Sequence, residues 1–534
     1  MNNLADSGGQ PQIRHLIYWL IIVTSIGGVV GRIWGIQSRD RFTPMLSAND
    51  RSRWCTIRAL IDDGTFVIDN PVNHDHDDNG RKRYPWDTID KVEHLGADGE
   101  QHFYSSKPPL FPTILAGEYW ILKRLLGYSI GDEPFLIMRI MIVLTNVVPL
   151  LLYLLLIRQL VERYGTSDWG RIFVMACAAW GTLLTTFSIT INNHLPAAIS
   201  VAIVVACLLR IWHEPKTTPW WTFATAGLFA AFAAANELPA ASFFGISGLI
   251  CLWKNPIKTL VAGVPAAIVV VVAFFGVNYV AHNSLRPPYV HRGLGKQLAS
   301  VEKFPLVAGR ISGDLKNQLV KAGVALPEEA FLHQSESGQW ALSDKDQYAA
   351  RFALIDNDGE FFIHQWDNWY DYPTSYWIKD RTGVDAGESS RLTYLFHCLI
   401  GHHGIFSLTP IWILSLIGMF QIWQSEEHRP LRFLAAVSAI ITVVVLTFYI
   451  MRPVIDRNYG GVSSGLRWTF WMIPLWLVTL IPAVDKWWQH RWFQITSLLM
   501  LAVSVATVLF PMANPWTNPW LFDLLSYIEW IDYP

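Results

Sequence analysis

Charge is scarce in this chain. Lys, Arg, Asp and Glu make up 16% of its 534 residues, where a soluble protein of this length carries about 25%. That scarcity excludes an ordinary water-soluble domain. Net charge is nearly absent too: 41 basic against 43 acidic side chains leave −2 at pH 7. Such a surface lacks the basic field that a polyanion needs, so no nucleic-acid partner is expected. Cysteine is sparse. Of five Cys, four lie in or beside apolar segments and only Cys55 falls in a polar loop, which excludes a disulfide framework. The chain has no Walker-type loop and no internal repeat. Its one biased tract, His74-Asp75-His76-Asp77-Asp78, has no metal-ligand spacing and reads as a solvated loop.

Apolar residues fill the gap. They make up 52% of the chain, and many of its 26 Trp flank long apolar runs, as interfacial belts do. Runs near 20 residues span a hydrocarbon core of about 30 Å as helices. The expected spans are 15–36, 135–158, 171–191, 195–212, 220–236, 238–253, 258–281, 403–423, 432–451, 467–483 and 493–512, about eleven in all. Leu16 to Val30 is followed by Arg32 without a small-residue cleavage site, so it reads as a retained helix. Short loops holding Arg158, Arg163 and Arg171, then Arg210 and Lys216, Lys254 and Lys258, Arg429 and Arg432, and Lys486 and Arg491 all fall on the side of Arg14. The positive-inside rule makes that side cytoplasmic and the C-terminus extracytoplasmic, in an inner or cell membrane.

Two long polar segments then fall outside, 37–134 and 282–402. The expected organisation is an N-terminal membrane module over 1–281 that carries the first loop, an external insert over 282–402, further spans over 403–512 and a Trp-rich external tail over 513–534. Residues 108–126 are apolar but broken by Pro112, Glu118, Lys123 and Arg124, and read as a helix in the outer interface. The insert is expected to be small and mainly helical, with a mixed fold as the alternative.

Polar residues gather at the outer edge. Asp50 precedes a short helix expected over 56–60, and Arg53 lies three residues on. A carboxylate held there can take a proton from a hydroxyl, and the arginine can fork onto phosphate. A solvated loop carboxylate is the bland alternative. Lys107 precedes Pro108 and Pro109, which bias it away from helix where the chain re-enters the membrane. A snorkelling lysine is the alternative there. Asn236-Glu237-Leu238-Pro239 puts an ionisable group at a span end, or simply in a wet hairpin. Tyr459 to Arg467 is glycine-rich, suited to close backbone approach to phosphate or to a tight loop. His402-His403 opens another span; with His194 and Glu237 it is a minor candidate for zinc or manganese.

Asp50-Arg51-Ser52-Arg53-Trp54, followed by Ile57 to Phe66 and by Lys107-Pro108-Pro109-Leu110, resembles the first outer loop of the GT-C glycosyltransferases. The likeness is to the branch of protein O-mannosyltransferases and lipid A aminoarabinose transferases, including the domain of bacterial lipopolysaccharide galacturonosyltransferases. It covers about residues 15–255. The resemblance implies an all-α polytopic bundle with amphipathic helices at its outer face. It implies Asp50 as the catalytic carboxylate, and Arg53 and Lys107 as ligands of a polyprenyl-phosphate sugar. A glycine-rich stretch ending in Arg is also frequent in that family, which adds Arg467. Three positions depart from the pattern. Arg51 replaces a Glu, Ser106 replaces a Glu implicated in metal binding, and Asn192-Asn193-His194 stands where a second acidic residue opens the fourth span. Asn193 and His194, with Glu237, become candidates for holding substrate.

The reading is thus a membrane glycosyltransferase that moves a sugar from a polyprenyl-phosphate donor to an extracytoplasmic lipid, glycan or protein, inverting the anomeric centre with Asp50 as base. It needs no nucleotide and assigns no cofactor, and a divalent metal is a secondary option. The competing readings are a transporter or flippase for lipid-linked sugars, or a non-catalytic protein that binds them.

Overall fold

The computed structural model describes residues 9–73, 75–76, 82–83, 85–324, 326, 329–344, 351–379 and 381–533. His74, Asp77 and Asp78 of the acidic–histidine tract lie outside them. Among the described residues, eight helices are long and apolar enough to cross a membrane: Gln12–Gly35, Pro134–Tyr164, Asp168–Phe187, His194–His213, Pro256–His282, Arg429–Ile450, Arg467–Trp487 and Arg491–Leu509. The chain is a multi-pass membrane protein. The other three expected spans are shorter helices, Trp220–Asn236, Leu238–Lys254 and Ile411–Gln421.

By its internal contacts the chain divides into two units. One comprises Met1–Ser47, Asp132–Ala273 and Thr382–Pro534 and holds most of the apolar helices. Two of these helices contain a wide turn two residues before a proline: Val143–Val147 before Pro149, and Thr259–Gly263 before Pro265. Proline lacks the N–H that a regular turn needs, and a wide turn absorbs the mismatch. Small residues bring helices close. A Cβ on Gly418 would lie 1.8 Å from the Thr479 carbonyl oxygen, so Ile411–Gln421 touches Ile473–Trp487 backbone to backbone.

The other unit comprises Ala48–Gly131 and Phe274–Arg381. The helix Ala48–Arg58 runs into a wide turn, Ala59–Asp63, that ends at Gly64 in the left-handed conformation. The expected helix at 56–60 therefore begins at Ala48, which puts Asp50 in its first turn and takes Cys55 out of any loop into full burial. An antiparallel hairpin follows, β1 (Lys91–Leu95) with β2 (Gln101–Ser105). The helix Leu110–Leu126 buries Leu110, Phe111, Leu115 and Tyr119 on one side and exposes Ile114, Trp120, Ile121 and Leu125 on the other.

The expected mainly helical insert is corrected: it is a sheet. Strands β3 (Arg292–Glu302), β4 (Gly309–Arg310), β5 (Ala330–Gln334), β6 (Trp340–Asp344), β7 (Phe352–Asn357) and β8 (Glu360–Asn368) form one antiparallel sheet in the order β3-β8-β7-β6-β5-β4. Asn357 pairs with Glu360 across Asp358-Gly359, a two-residue turn that Asp-Gly favours because Gly359 takes φ +104°. Phe361 and Ile363 alternate inward along β8 and meet Leu342 and Leu354. The helix Gly313–Lys321 adds Leu319 to that core. The hairpin β1–β2 joins it: the Glu93 N–H donates to the Trp369 carbonyl at 2.9 Å, and Val92, Tyr104 and Tyr370 share a core.

Candidate active site

In the unit that holds the sheet, Asp50 is 1% exposed and Arg53 3% exposed. They lie three residues apart, so both occupy one face of the helix Ala48–Arg58. The helix N-terminus favours a carboxylate in its first turn, and Asp50 Oδ1 accepts the Arg51 N–H at 2.8 Å. The Arg53 guanidinium is fixed by Asn49, one turn back, through the backbone carbonyl at 2.9 Å and through the side-chain oxygen.

Lys107 is tied to the same helix. Ser52 Oγ and Ser105 Oγ lie 2.6 Å apart, and Ser105 Oγ accepts the Lys107 N–H at 3.1 Å. Asp90 is the hub. Its carbonyl accepts from Ser52 Oγ at 2.6 Å and from the Ser106 N–H at 3.1 Å. Its carboxylate holds the Lys107 ammonium at 2.9 Å. Sequence reasoning missed Asp90, and no pattern around Ile89-Asp90-Lys91 marks it. Asp50, Arg53 and Lys107 are thus carried by one hydrogen-bonded assembly, in which Ser106 serves through its backbone.

The hairpin's His94 is boxed in by aromatic rings. It stacks on Tyr104 at 4.0 Å and lies against Trp369 at 4.1 Å with the rings tilted by 35°. Its Nδ1 faces the Leu95 carbonyl at 3.0 Å and its Nε2 faces His282 Nδ1 at 3.0 Å. Burial pushes the His94 imidazole down to about 4, against the partial support of the Leu95 carbonyl.

In the unit of apolar helices, Asn193, His194, Glu237 and Arg467 converge. Asn146, in the wide turn Val143–Val147, donates to the carbonyls of Ser188 and Thr190 at 3.0 and 2.9 Å and fixes the chain ahead of Asn192. Asn192 caps the next helix, accepting the Leu195 N–H at 2.9 Å. Asn193 Nδ2 donates to Glu237 Oε1 at 2.7 Å and to the Asn236 carbonyl at 3.0 Å. His194 Nδ1 also bonds Glu237 Oε1. His194 Nε2 lies 2.8 Å from Arg467 Nη1. A guanidinium only donates, so Nε2 accepts and Nδ1–H donates to Glu237. Arg467 Nε donates to the Gly460 carbonyl at 2.7 Å. Gly460 has φ +97°, and a Cβ there would lie 2.6 Å from that Nε, so the loop needs glycine.

The minor candidate grouping of His194 and Glu237 with His402 is not the one that forms among the described residues. His194 Nε2 faces the Arg467 guanidinium, a cation that opposes a bound metal ion, and Glu237 serves Asn193 and His194. His402 instead joins Glu388 and His397. Sequence reasoning missed those two residues.

No protein-family model matches the chain, and no curated protein matches its sequence. Two solved structures are similar in backbone. The S. cerevisiae protein O-mannosyltransferase Pmt1-Pmt2 complex bound to the sugar donor aligns at TM-score 0.47 and 11% identity, over 100% of this chain and 93% of that one. The Archaeoglobus fulgidus oligosaccharyltransferase complex with Zn and sulfate aligns at TM-score 0.41 and 11% identity, over 95% of this chain and 55% of that one.

Proposed function

We propose that this protein is a GT-C-type membrane glycosyltransferase that takes a sugar from a polyprenyl-phosphate donor. The observation that carries the reading is the assembly of Asp50, Arg53 and Lys107: a buried carboxylate in a helix's first turn, one turn from an anchored guanidinium, and hydrogen-bonded through Ser52 and Ser105 to the loop of Lys107.

In the proposed reaction Asp50 takes the proton from an acceptor hydroxyl. The acceptor oxygen forms a bond to the anomeric carbon. The bond from that carbon to the phosphate oxygen breaks, and its electrons leave with the polyprenyl phosphate. A single in-line displacement inverts the anomeric centre. Arg53 and Lys107 stabilise the charge that grows on the leaving phosphate. An ammonium has three donors, so Lys107 keeps Asp90 while it binds phosphate. In the unit of apolar helices, taken by itself, the proposed role of Arg467, oriented by Gly460 and His194, is that of a phosphate ligand, and that of Asn193, His194 and Glu237 is to hold substrate. The charge pattern of the short loops supports a cytoplasmic N-terminus and an extracytoplasmic acceptor.

The experiment is transfer by purified protein. Detergent-solubilised chain is mixed with radiolabelled polyprenyl-phosphate sugars and a cell-envelope acceptor fraction. Label should move to the acceptor without nucleotide. Donor that is bound or moved across a vesicle bilayer, but never consumed, would replace the reading with a transporter or binding protein.

A further inference from the structure

The geometry points to a zinc site that is separate from the proposed transfer chemistry, made by Glu388, His397 and His402. His397 and His402 are buried and Glu388 is half-buried, and one ligand atom from each lies within 4.8 Å of the others. Their types are two imidazoles and a carboxylate, which is a zinc-type set.

The chain builds the place deliberately. Glu388 precedes the helix Arg391–Leu399, and its N–H donates to the Arg457 carbonyl at 2.9 Å. His397 sits in the last turn of that helix, and its Nδ1 is buried with no hydrogen-bond partner. A Cβ on Gly401 would lie 2.2 Å from that Nδ1, so glycine lets the chain turn tightly past the ring. The ring of His402 stacks on that of His397 at 3.9 Å. Glu388 Oε1 accepts from the hydroxyls of Tyr459 and Tyr533, so the group left unsatisfied is the buried His397 Nδ1, which is costly without an occupant.

A hydroxyl now stands between two of the ligands. Tyr533 Oη lies 2.5 Å from Glu388 Oε1 and 2.6 Å from His402 Nε2. His402 Nδ1 lies 2.5 Å from His403 Nδ1, whose Nε2 has no partner. One proton order fits these contacts. His403 Nδ1–H donates to His402, His402 Nε2–H donates to Tyr533, and Tyr533 O–H donates to Glu388. Zinc at His402 Nε2 reverses that order. Both rings change tautomer with no net loss of protons. The His402 proton moves from Nε2 to Nδ1 and is donated to His403 Nδ1, the His403 proton moves to its Nε2, and His403 becomes the residue that orients the ligand. Zinc ligands at about 2.0–2.1 Å sit about 3.4 Å apart, so the three atoms, now within 4.8 Å of one another, close by up to about 1.4 Å. Tyr533 either swings out or supplies the fourth oxygen. The bound ion would clip the segment before the helix Arg391–Leu399 to its last turn and to the loop of His402.

The test uses the full chain, purified in detergent and stripped with a chelator. Zn²⁺ is titrated by calorimetry and Co²⁺ by absorption. The expected result is one equivalent of zinc and a tetrahedral cobalt spectrum. Glu388→Gln and His397→Gln should each lower affinity about tenfold or more, and a His74→Ala, His76→Ala double variant should leave it unchanged. No stoichiometric binding, unchanged affinity in folded Glu388→Gln or His397→Gln, or loss in the double variant would overturn the site. If both ligand variants fail to fold, Tyr533→Phe decides. Removing the hydroxyl between Glu388 and His402 should shift zinc affinity or the cobalt spectrum, and an unchanged titration and spectrum would contradict the site.

Discussion

The ammonium of Lys107 lies 2.9 Å from Asp90 Oδ2, and the Asp90 carbonyl accepts from Ser52, two residues past Asp50. A lysine expected to bind phosphate is therefore already aimed by a carboxylate. Lys107→Ala should lower donor affinity on the order of tenfold or more, the worth of a charge-assisted hydrogen bond of roughly 1.5–3 kcal/mol. Asp90→Asn keeps an oxygen facing the ammonium and should cost about threefold or less by the same measure. Equal losses of melting temperature in both variants, with donor affinity unchanged, would make the pair structural.

His94 sets a pH dependence for the unit that holds the sheet. Its folded value is pushed down to about 4, and an unfolded imidazole titrates near 6.5. The unfolded state therefore binds the proton first as pH falls. Stability is full above about 6.5 and falls progressively between about 6.5 and 4, by about 3 kcal/mol on an order-of-magnitude scale. Hydrogen exchange across β1 and β2 should accelerate over that window. His94→Phe should flatten the profile. An equally steep profile in that variant would remove His94 as the cause.

Gly418 tests the packing of the apolar helices. Gly418→Ala would press a methyl against the Thr479 carbonyl and should cost about 1–3 kcal/mol. Gly248→Ala, where a Cβ meets nothing within 4 Å, is the control and should leave the melting temperature in place. Equal effects would show that the contact between the two helices does not limit stability.

Orientation is open to direct chemistry, because all five native cysteines are buried. Cysteines placed at Ala97 and Asp358, both exposed, should react with an impermeant maleimide in intact cells. One at Glu214 should not. Labelling at Glu214 would invert the topology.

What the sequence made legible follows from the physics of each signal. Hydropathy acts over whole runs, so the long spans could be read directly. Asp50 and Arg53 could be paired because three residues make nearly one helical turn. Short helices such as Ile411–Gln421 blur into longer expected spans, since the chain on either side stays apolar where the helix breaks at Thr409-Pro410. The insert was legible in part. Asp358-Gly359 between Phe352–Asn357 and Glu360–Asn368 is a strong hairpin signal, obscured by a Trp- and Tyr-rich stretch that reads as interfacial. Asp90, Glu388 and His397 had no local mark. Asp90 and Glu388 meet Lys107 and Tyr533 only through tertiary structure, while His397 lies five residues before His402, a spacing that matches no regular helical face.

The account stands most directly on Asp50. Asn is nearly isosteric with Asp and cannot take up a proton at neutral pH. Single-turnover transfer and donor binding should be measured side by side in detergent, for wild type and Asp50→Asn. The account predicts donor binding retained and transfer reduced by about 10²–10⁴-fold, the range of a general base. Transfer within about threefold of wild type, well short of that range, in a folded Asp50→Asn protein would contradict it.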